Sequence, residues 1–321
     1  MRGPLIPPFY AGVIGKLATA RRHAGLETIT MHFGQPTLGA PRAAIDVAHR
    51  VLDTDAQGYY ESAALVARLS RHYREAYGVQ VDPGQILLTC GASAGLVAAF
   101  SAFFRAGDSI ALVVPGYPAY RNTLRALGMV PQEIRCESEA GFRPSASMLE
   151  KLDPAPAGFV LTSPANPTGA MLDKAALAAI VTVCRERGIR LISDEIYHGI
   201  TFDREAVCAL ELDPDVVLIN SFSKFYRMPG WRLGWMVAPL EAAERISAYL
   251  INMFLTPPTL AQHAALQAMD QHKELVDAVH TYRSNRARLI EGLAGIGITK
   301  LAPPDGAFYL YADMGHITRD S

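Results

Sequence analysis

The chain has 321 residues, half of them hydrophobic, and a formal net charge of −1. That length supports one large core plus a smaller domain. The near-neutral balance speaks against nucleic acid or an anionic membrane as the main partner.

Cys90, Cys136, Cys184 and Cys208 form no CxxC pair and no zinc-like spacing with the histidines. They read as reduced thiols of a cytoplasmic protein, and no metal site is expected. Met1 to Phe9 is broken by prolines and lacks the apolar core of a signal peptide. Residues 1–35 form an arm: Ala11–Ala24 has helical spacing, and Thr28–Phe33 is an extended piece ending at Gly34-Gln-Pro36. Helices are expected over Pro41–Leu52, with Pro41 in the first turn, and over Ala63–Tyr77, closed by Gly78.

The stretch Ile86–Phe104 carries no charge and approaches the length of a membrane span. Gly91 and Gly95, with Thr89, Cys90 and Ser93 around them, make it a strand, a loop and a buried helix instead. A strand–helix rhythm comes next. Strands are expected at Ile86–Thr89, Ser109–Val114, Glu133–Cys136, Gly158–Thr162, Arg190–Ser193, Val216–Asn220 and Leu233–Ala238. Helices fall between them at Ala94–Arg105, Ala119–Leu127 and Lys174–Arg187. This predicts an α/β domain over residues 36–255, with a mainly parallel seven-stranded sheet flanked by helices. A long helical region from Glu241 to about Leu293 is interrupted at Thr256-Pro-Pro-Thr259, the expected start of a smaller domain over 256–321. Ala307–Ala312 is its strand.

Ligands of open α/β sheets gather at the carboxyl ends of strands, so the residues just beyond each strand bear on function. Gly91-Ala-Ser-Ala-Gly95 opens a helix whose free N–H groups can cradle a phosphate, or is a plain glycine turn. It is neither a Walker A loop nor a full GxGxxG. Pro115-Gly-Tyr-Pro-Ala-Tyr120 puts an aromatic at a strand end, to stack on a planar ring or to fill the core. Ser163-Pro-Ala-Asn-Pro-Thr-Gly169 is ordinary turn chemistry in which Asn166 can donate its amide to a ligand oxygen.

Asp194 emerges from a buried strand, where a carboxylate is expensive unless it finds a cation or donors. A pyridinium N–H is one such partner, and a helix cap is the alternative. Tyr197, three residues on, can reach a phenolate oxygen of the same ring. The apolar run Val216–Ile219 leads into Ser221-Phe-Ser223 and Lys224, with Arg232 eight residues further. Only six lysines stand against twenty-four arginines, so Lys224 is not part of a lysine-rich surface. With hydroxyls at Ser221 and Ser223 and a guanidinium nearby, its amine suits covalent capture of an aldehyde carrying a phosphate.

Taken in order, Gly34-Gln-Pro, Gly-Tyr-Pro-x-Tyr120, Asn166-Pro-Thr-Gly, Asp194-Glu-x-Tyr197, Ser221-x-Ser-Lys224 and Arg232-x-Gly resemble a known family. They match the fold-type I pyridoxal-phosphate enzymes, and within them the class I/II aminotransferases, from about residue 29 to 311. The resemblance implies pyridoxal 5'-phosphate (PLP) as cofactor and transfer of an amino group between an amino acid and a 2-oxo acid. Lys224 would form the internal aldimine and shuttle the Cα proton. Asp194 would pair with the pyridine nitrogen, Asn166 and Tyr197 with the 3-oxygen, and Tyr117 with the ring face. Ala92, Ser93, Ser221 and Arg232 would hold the phosphate, and Ser223 belongs to the same cofactor-binding set. Tyr59 or Tyr60 of the partner subunit would also reach that phosphate, implying a homodimer with shared sites. Gly34 would offer its N–H to the substrate carboxylate. A lysine ordinarily titrates near 10.4, so Arg232 and partial burial must depress Lys224 if it is to act as a base.

Family members continue beyond the Ala307–Ala312 strand and supply an arginine for the substrate carboxylate. Here the sequence stops at Ser321, and Arg319 lies in no matching motif, so the smaller domain is expected to be incomplete. A lyase, decarboxylase or cyclase of the same fold would keep every residue named. From a different class, a PLP-binding protein without turnover fits the missing arginine. A Rossmann dehydrogenase lacks its full glycine fingerprint.

Overall fold

Apolar runs without a polar face build strands that must be covered on both sides. The computed structural model describes residues 3–315 and residue 317; Arg319 lies outside them. Seven strands form one sheet: Ile86–Thr89 (β1), Ser109–Val114 (β2), Val130–Arg135 (β3), Gly158–Thr162 (β4), Arg190–Asp194 (β5), Val217–Ser221 (β6) and Gly234–Val237 (β7). Their order is β1-β7-β6-β5-β4-β2-β3. β2 to β6 are parallel, whereas β7 runs antiparallel to both β6 and β1. β1 therefore points the same way as the parallel set, and six strands open at one edge.

The helices that cover the sheet are Arg42–Thr54 (α2), Ala63–Tyr77 (α3), Ala92–Phe103 (α4), Pro118–Ala126 (α5), Ala146–Glu150 (α6), Lys174–Glu186 (α7), Leu240–Phe254 (α8) and Thr259–Ala268 (α9). Tyr10–His23 (α1) belongs to the arm, and His272–Gly295 (α10) comes after α9. Alternation along β6 shows how the faces divide. Leu218 packs with α2, α3, α7 and α9, while Val217 and Ile219 pack with α4, α5 and α8. The uncharged segment after β1 is core: Ala98, Ala99 and Phe100 of α4 have no exposed surface, and burying one such phenylalanine contributes roughly 1.5–3 kcal/mol. Among the described residues no helix is long and apolar enough to cross a membrane.

Local signals set several ends. Ser62 accepts the Leu65 N–H at 3.1 Å to start α3, and Gly78 ends it at φ +70°. Elsewhere the structure corrects the expectation. β3 begins at Val130, paired with Ser109, three residues before the expected Glu133; as a mostly exposed edge strand it tolerates Pro131 and lacks an apolar pattern. Pro41 precedes α2 rather than entering its first turn. Thr28–Phe33 pairs with nothing in the sheet. Ala307–Ala312 forms no strand either, only bridges at its margins, Thr201 to Gly306 and Leu301 to Ala312. Pro303 and Pro304 just before it lack a backbone N–H, and Gly306 and Ala307 donate instead to the Gly169 and Ile200 carbonyls.

Candidate active site

At the edge where six strands end lies a cavity of about 570 Å³, walled by the ends of β5 and β6, the starts of α4 and α5, and the arm around Phe9 and Phe33. Sites for small ligands occupy roughly 300–1,000 Å³.

Lys224 comes just after β6 and turns into this space. Its ammonium donates to the Gly34 carbonyl at 2.5 Å and lies 5.7 Å from the centres of the Tyr197 and Phe308 rings. Burial pushes the amine down from 10.5 to about 8, against the pull of Asp194 and helped by Arg232. A lysine so placed is partly neutral near physiological pH.

Asp194 ends β5 and is buried. Oδ2 accepts from the Tyr120 hydroxyl at 2.6 Å, and Oδ1 from the Ile196 N–H at 3.1 Å. Thr162 stands 2.8 Å from the Tyr120 oxygen and completes the relay. The cap and the ligand readings of Asp194 are thus compatible, because one oxygen holds the turn and lone pairs remain. Burial lifts this carboxyl from 3.8 to about 6 in spite of the Tyr120 and Ile196 donors, so a cation beside it would be strongly favoured.

Tyr197 sits on the turn after Asp194, 3% exposed. Its hydroxyl lies 2.6 Å from that of Tyr309 and accepts from the Asn166 amide at 3.4 Å. Tyr117, just before α5, meets Tyr120 edge-on at 5.3 Å and Phe9 at 6.1 Å between ring centres. Gly34 comes from the arm; a Cβ there would collide with the Tyr309 hydroxyl, so only glycine permits this approach.

The start of α4 supplies the second polar end. Gly91 adopts φ +81°, freeing the helix to begin at Ala92, and the Arg232 guanidinium lies over it, 2.6 Å from where a Cβ would be. Arg232 itself takes φ +55° and is steadied by the Pro229 carbonyl at 2.8 Å. Helix N–H groups beside a guanidinium make an anion site. Ala92, Ser93, Ser223 and Arg232 line the cavity. Ser221 does not: its hydroxyl is buried 2.7 Å from Ser223 Oγ and 3.2 Å from the Leu233 carbonyl, and it accepts the Ser223 N–H at 2.9 Å. Ser221 therefore shapes the loop that presents Ser223 and Lys224. Tyr59 is 83% exposed and is not on the cavity wall. Tyr60 is occupied, stacked on His263 at 5.0 Å.

Sequence reasoning assigned no role to Tyr120, Phe9, Phe33 or Tyr309. Tyr120 had a usable signal, one helical turn beyond Tyr117 at the same strand end. Tyr309 had none, since it meets Tyr197 only through the return of the chain 112 residues later.

A family model for aminotransferases of class I and II matches residues 31–320. The chain belongs to this family. A valine–pyruvate aminotransferase of Mycobacterium tuberculosis is 39% identical across 98% of this chain and 83% of its own length. An aspartate/prephenate aminotransferase of Thermus thermophilus is 29% identical across 93% and 80%. The solved structure of an aminotransferase from M. tuberculosis superposes with a TM-score of 0.96 at 39% identity, covering 98% of this chain and 84% of that one. Aspartate aminotransferase from T. thermophilus, solved with maleate, gives 0.94 at 27% identity, with 99% and 87% covered. These likenesses establish the class I/II aminotransferase fold and activity, in a family that depends on PLP. Rossmann-type nucleotide binding is set aside.

Proposed function

We propose that this aminotransferase holds PLP in the 570 Å³ cavity, anchored by Lys224, and exchanges amino groups between an amino acid and a 2-oxo acid. The observation that carries the reading is the convergence of Lys224 and the buried Asp194 on one cavity from the neighbouring ends of β6 and β5, where burial pushes the amine down and the carboxyl up. The residues fit the cofactor at each of its polar groups. The α4 N-terminus, Ser93, Ser223 and Arg232 suit its phosphate, Asp194 its ring nitrogen, Asn166 and Tyr197 its 3-oxygen, and Tyr117 a ring face. When bound, PLP supplies an electron sink conjugated to the substrate Cα.

The protein groups do the rest. Lys224 in its neutral form removes and returns the proton at the substrate Cα. Asp194 keeps a proton on the ring nitrogen. Gly34, whose N–H makes no hydrogen bond among the described residues, faces the substrate carboxylate. The arm's Phe9 and Phe33 present aromatic surface to the cavity. With the naming of the M. tuberculosis relative, this supports valine and pyruvate as the first substrate pair to test. The exposed ring of Tyr59 supports a homodimer in which it completes the partner's phosphate site. The free cysteines are compatible with a cytoplasmic enzyme.

Absorption spectra after adding PLP, with wild type beside Lys224→Ala, test the anchor. A visible band that survives dialysis in the wild type and is absent from the variant is expected, and valine should bleach it. Identical spectra, with cofactor washed from both, would remove Lys224 as the anchor.

A further inference from the structure

We propose that Tyr309 is a positioning residue of this active site, acting through Tyr197. The two hydroxyls lie 2.6 Å apart, and Tyr309 lines the cavity. The inference rests on the PLP reading and extends it to a residue from the far end of the chain.

The mount of Tyr309 is unusually well fixed. The Gly306 N–H donates to the Gly169 carbonyl at 3.0 Å, and the Ala307 N–H to the Ile200 carbonyl at 2.8 Å. Gly169 closes the turn that carries Asn166, and Ile200 lies three residues past Tyr197. The segment is thus stitched to both turns that present the 3-oxygen donors. Ala307 is fully buried and held at φ +57°, a backbone conformation that persists only where surrounding contacts impose it. The Tyr309 hydroxyl abuts Gly34 so closely that no side chain fits there. Its ring meets Tyr197 nearly edge-on at 5.6 Å, and Phe308 does so from the next position at 5.7 Å.

A phenol has one proton to give and two lone pairs to receive. The Asn166 amide already points a donor at the Tyr197 oxygen. When Tyr309 donates there as well, the Tyr197 proton is released for a third group in the cavity. A donor behind a donor also polarises the outgoing bond, strengthening it by about 10–30%. Tyr309 therefore makes Tyr197 a stronger donor to an anionic ligand oxygen than Asn166 and Tyr197 could be by themselves. Lys224, Asp194, Tyr120 and Tyr117 are the charged and titratable groups that face this pair.

Tyr309→Phe removes one oxygen and keeps the ring. In the PLP-loaded enzyme, the pH midpoint of the visible band reports how well the 3-oxygen anion is stabilised. Tyr309→Phe should raise that midpoint by about half a pH unit and weaken PLP binding a few-fold. Tyr197→Phe should raise it further, and adding Tyr309→Phe to Tyr197→Phe should then change nothing. A midpoint unchanged in Tyr309→Phe would make Tyr309 a wall residue only, and an equal shift with and without Tyr197 would show that it does not act through Tyr197; either result overturns the proposal. A wild type that shows no visible band would overturn this proposal together with the PLP reading, whereas a normal band with no Tyr309 effect overturns this proposal alone.

Discussion

The segment Asp194–His198 carries polar residues to two sides of the same turn, and the two sides are finished differently. Towards the core, Glu195 and His198 are almost fully buried. Glu195 accepts from Ser193 at 3.1 Å and from the Ala209 N–H at 2.8 Å, with His198 Nδ1 at 3.3 Å. His198 donates from Nε2 to the Ser163 carbonyl at 3.1 Å, and Tyr77 lies 3.0 Å from its Nδ1. That cluster leaves one buried atom, Glu195 Oε2, without a hydrogen bond among the described residues. Towards the cavity, Asp194 has neutral donors but no hydrogen-bonded cation among the described residues, and Lys224 donates one N–H to a backbone carbonyl. Both sides bury ionisable groups; only the cavity side turns them towards a space that a ligand can enter. Buried polar groups that open onto a cavity, rather than polar burial itself, mark the functional side.

Substitutions on the two sides should therefore separate activity from stability. Lys224→Ala gives the largest effect: loss of anchored cofactor and of turnover by roughly 10²–10⁴-fold or more, the range for a missing acid–base group, measured as steady-state transamination. Asp194→Asn should cost activity on a similar scale while the cofactor-free protein melts no lower than wild type. Glu195→Ala should do the reverse. It strips Ser193 and the Ala209 N–H of their acceptor, which costs about 1–3 kcal/mol for each buried donor left unsatisfied, read from denaturant unfolding. If Glu195→Ala were as stable as wild type but inactive, the division between the two sides would be wrong.

The pH dependence of the cofactor-free protein sharpens the same contrast. Asp194 has a folded pKa raised to about 6 from 3.8. The folded state thus binds this proton more tightly than the unfolded chain does. The stabilisation is complete below about pH 4 and is lost as pH rises through about 6. Its size is on the order of 1–3 kcal/mol. Asp194→Asn should flatten that part of the stability curve. PLP should flatten it too, because it gives the ionised carboxylate a cation. A wild-type curve with no slope between pH 4 and 6 would mean that Asp194 is better solvated than its burial implies.

How much of this was legible in the sequence depends on where each contact was encoded. Lys224, Asp194 and Asn166 could be found because each stands at the end of an apolar run, and strand ends are where a parallel sheet gathers its ligands. Tyr197 was reachable by its three-residue spacing from Asp194. Ser221 lies off the cavity wall, and a serine beside a lysine looks the same in sequence whether its hydroxyl faces a ligand or the Leu233 carbonyl. β3 was cut short because an exposed edge strand has no apolar period to read. Tyr309 and the Phe9–Phe33 wall arise from chain return, and no local pattern specifies that.

The smallest and most discriminating test is a pair of tyrosine deletions. Tyr120 and Tyr77 play matching parts, each bringing a hydroxyl to the turn, Tyr120 to Asp194 and Tyr77 to His198. Each phenylalanine substitution should lower stability by about 1 kcal/mol, the net worth of one hydrogen bond. Their pH behaviour should differ. Tyr120 donates to the ionised form of Asp194 and so holds that carboxyl down; Tyr120→Phe should carry the stability step above pH 6 and loosen PLP at neutral pH. Tyr77→Phe should leave both the step and the PLP affinity where they are, because the cluster it serves does not open onto the cavity. Equal shifts in the two variants would show that the turn transmits charge between its sides, and the cavity could then no longer be treated as electrostatically separate from the core behind it.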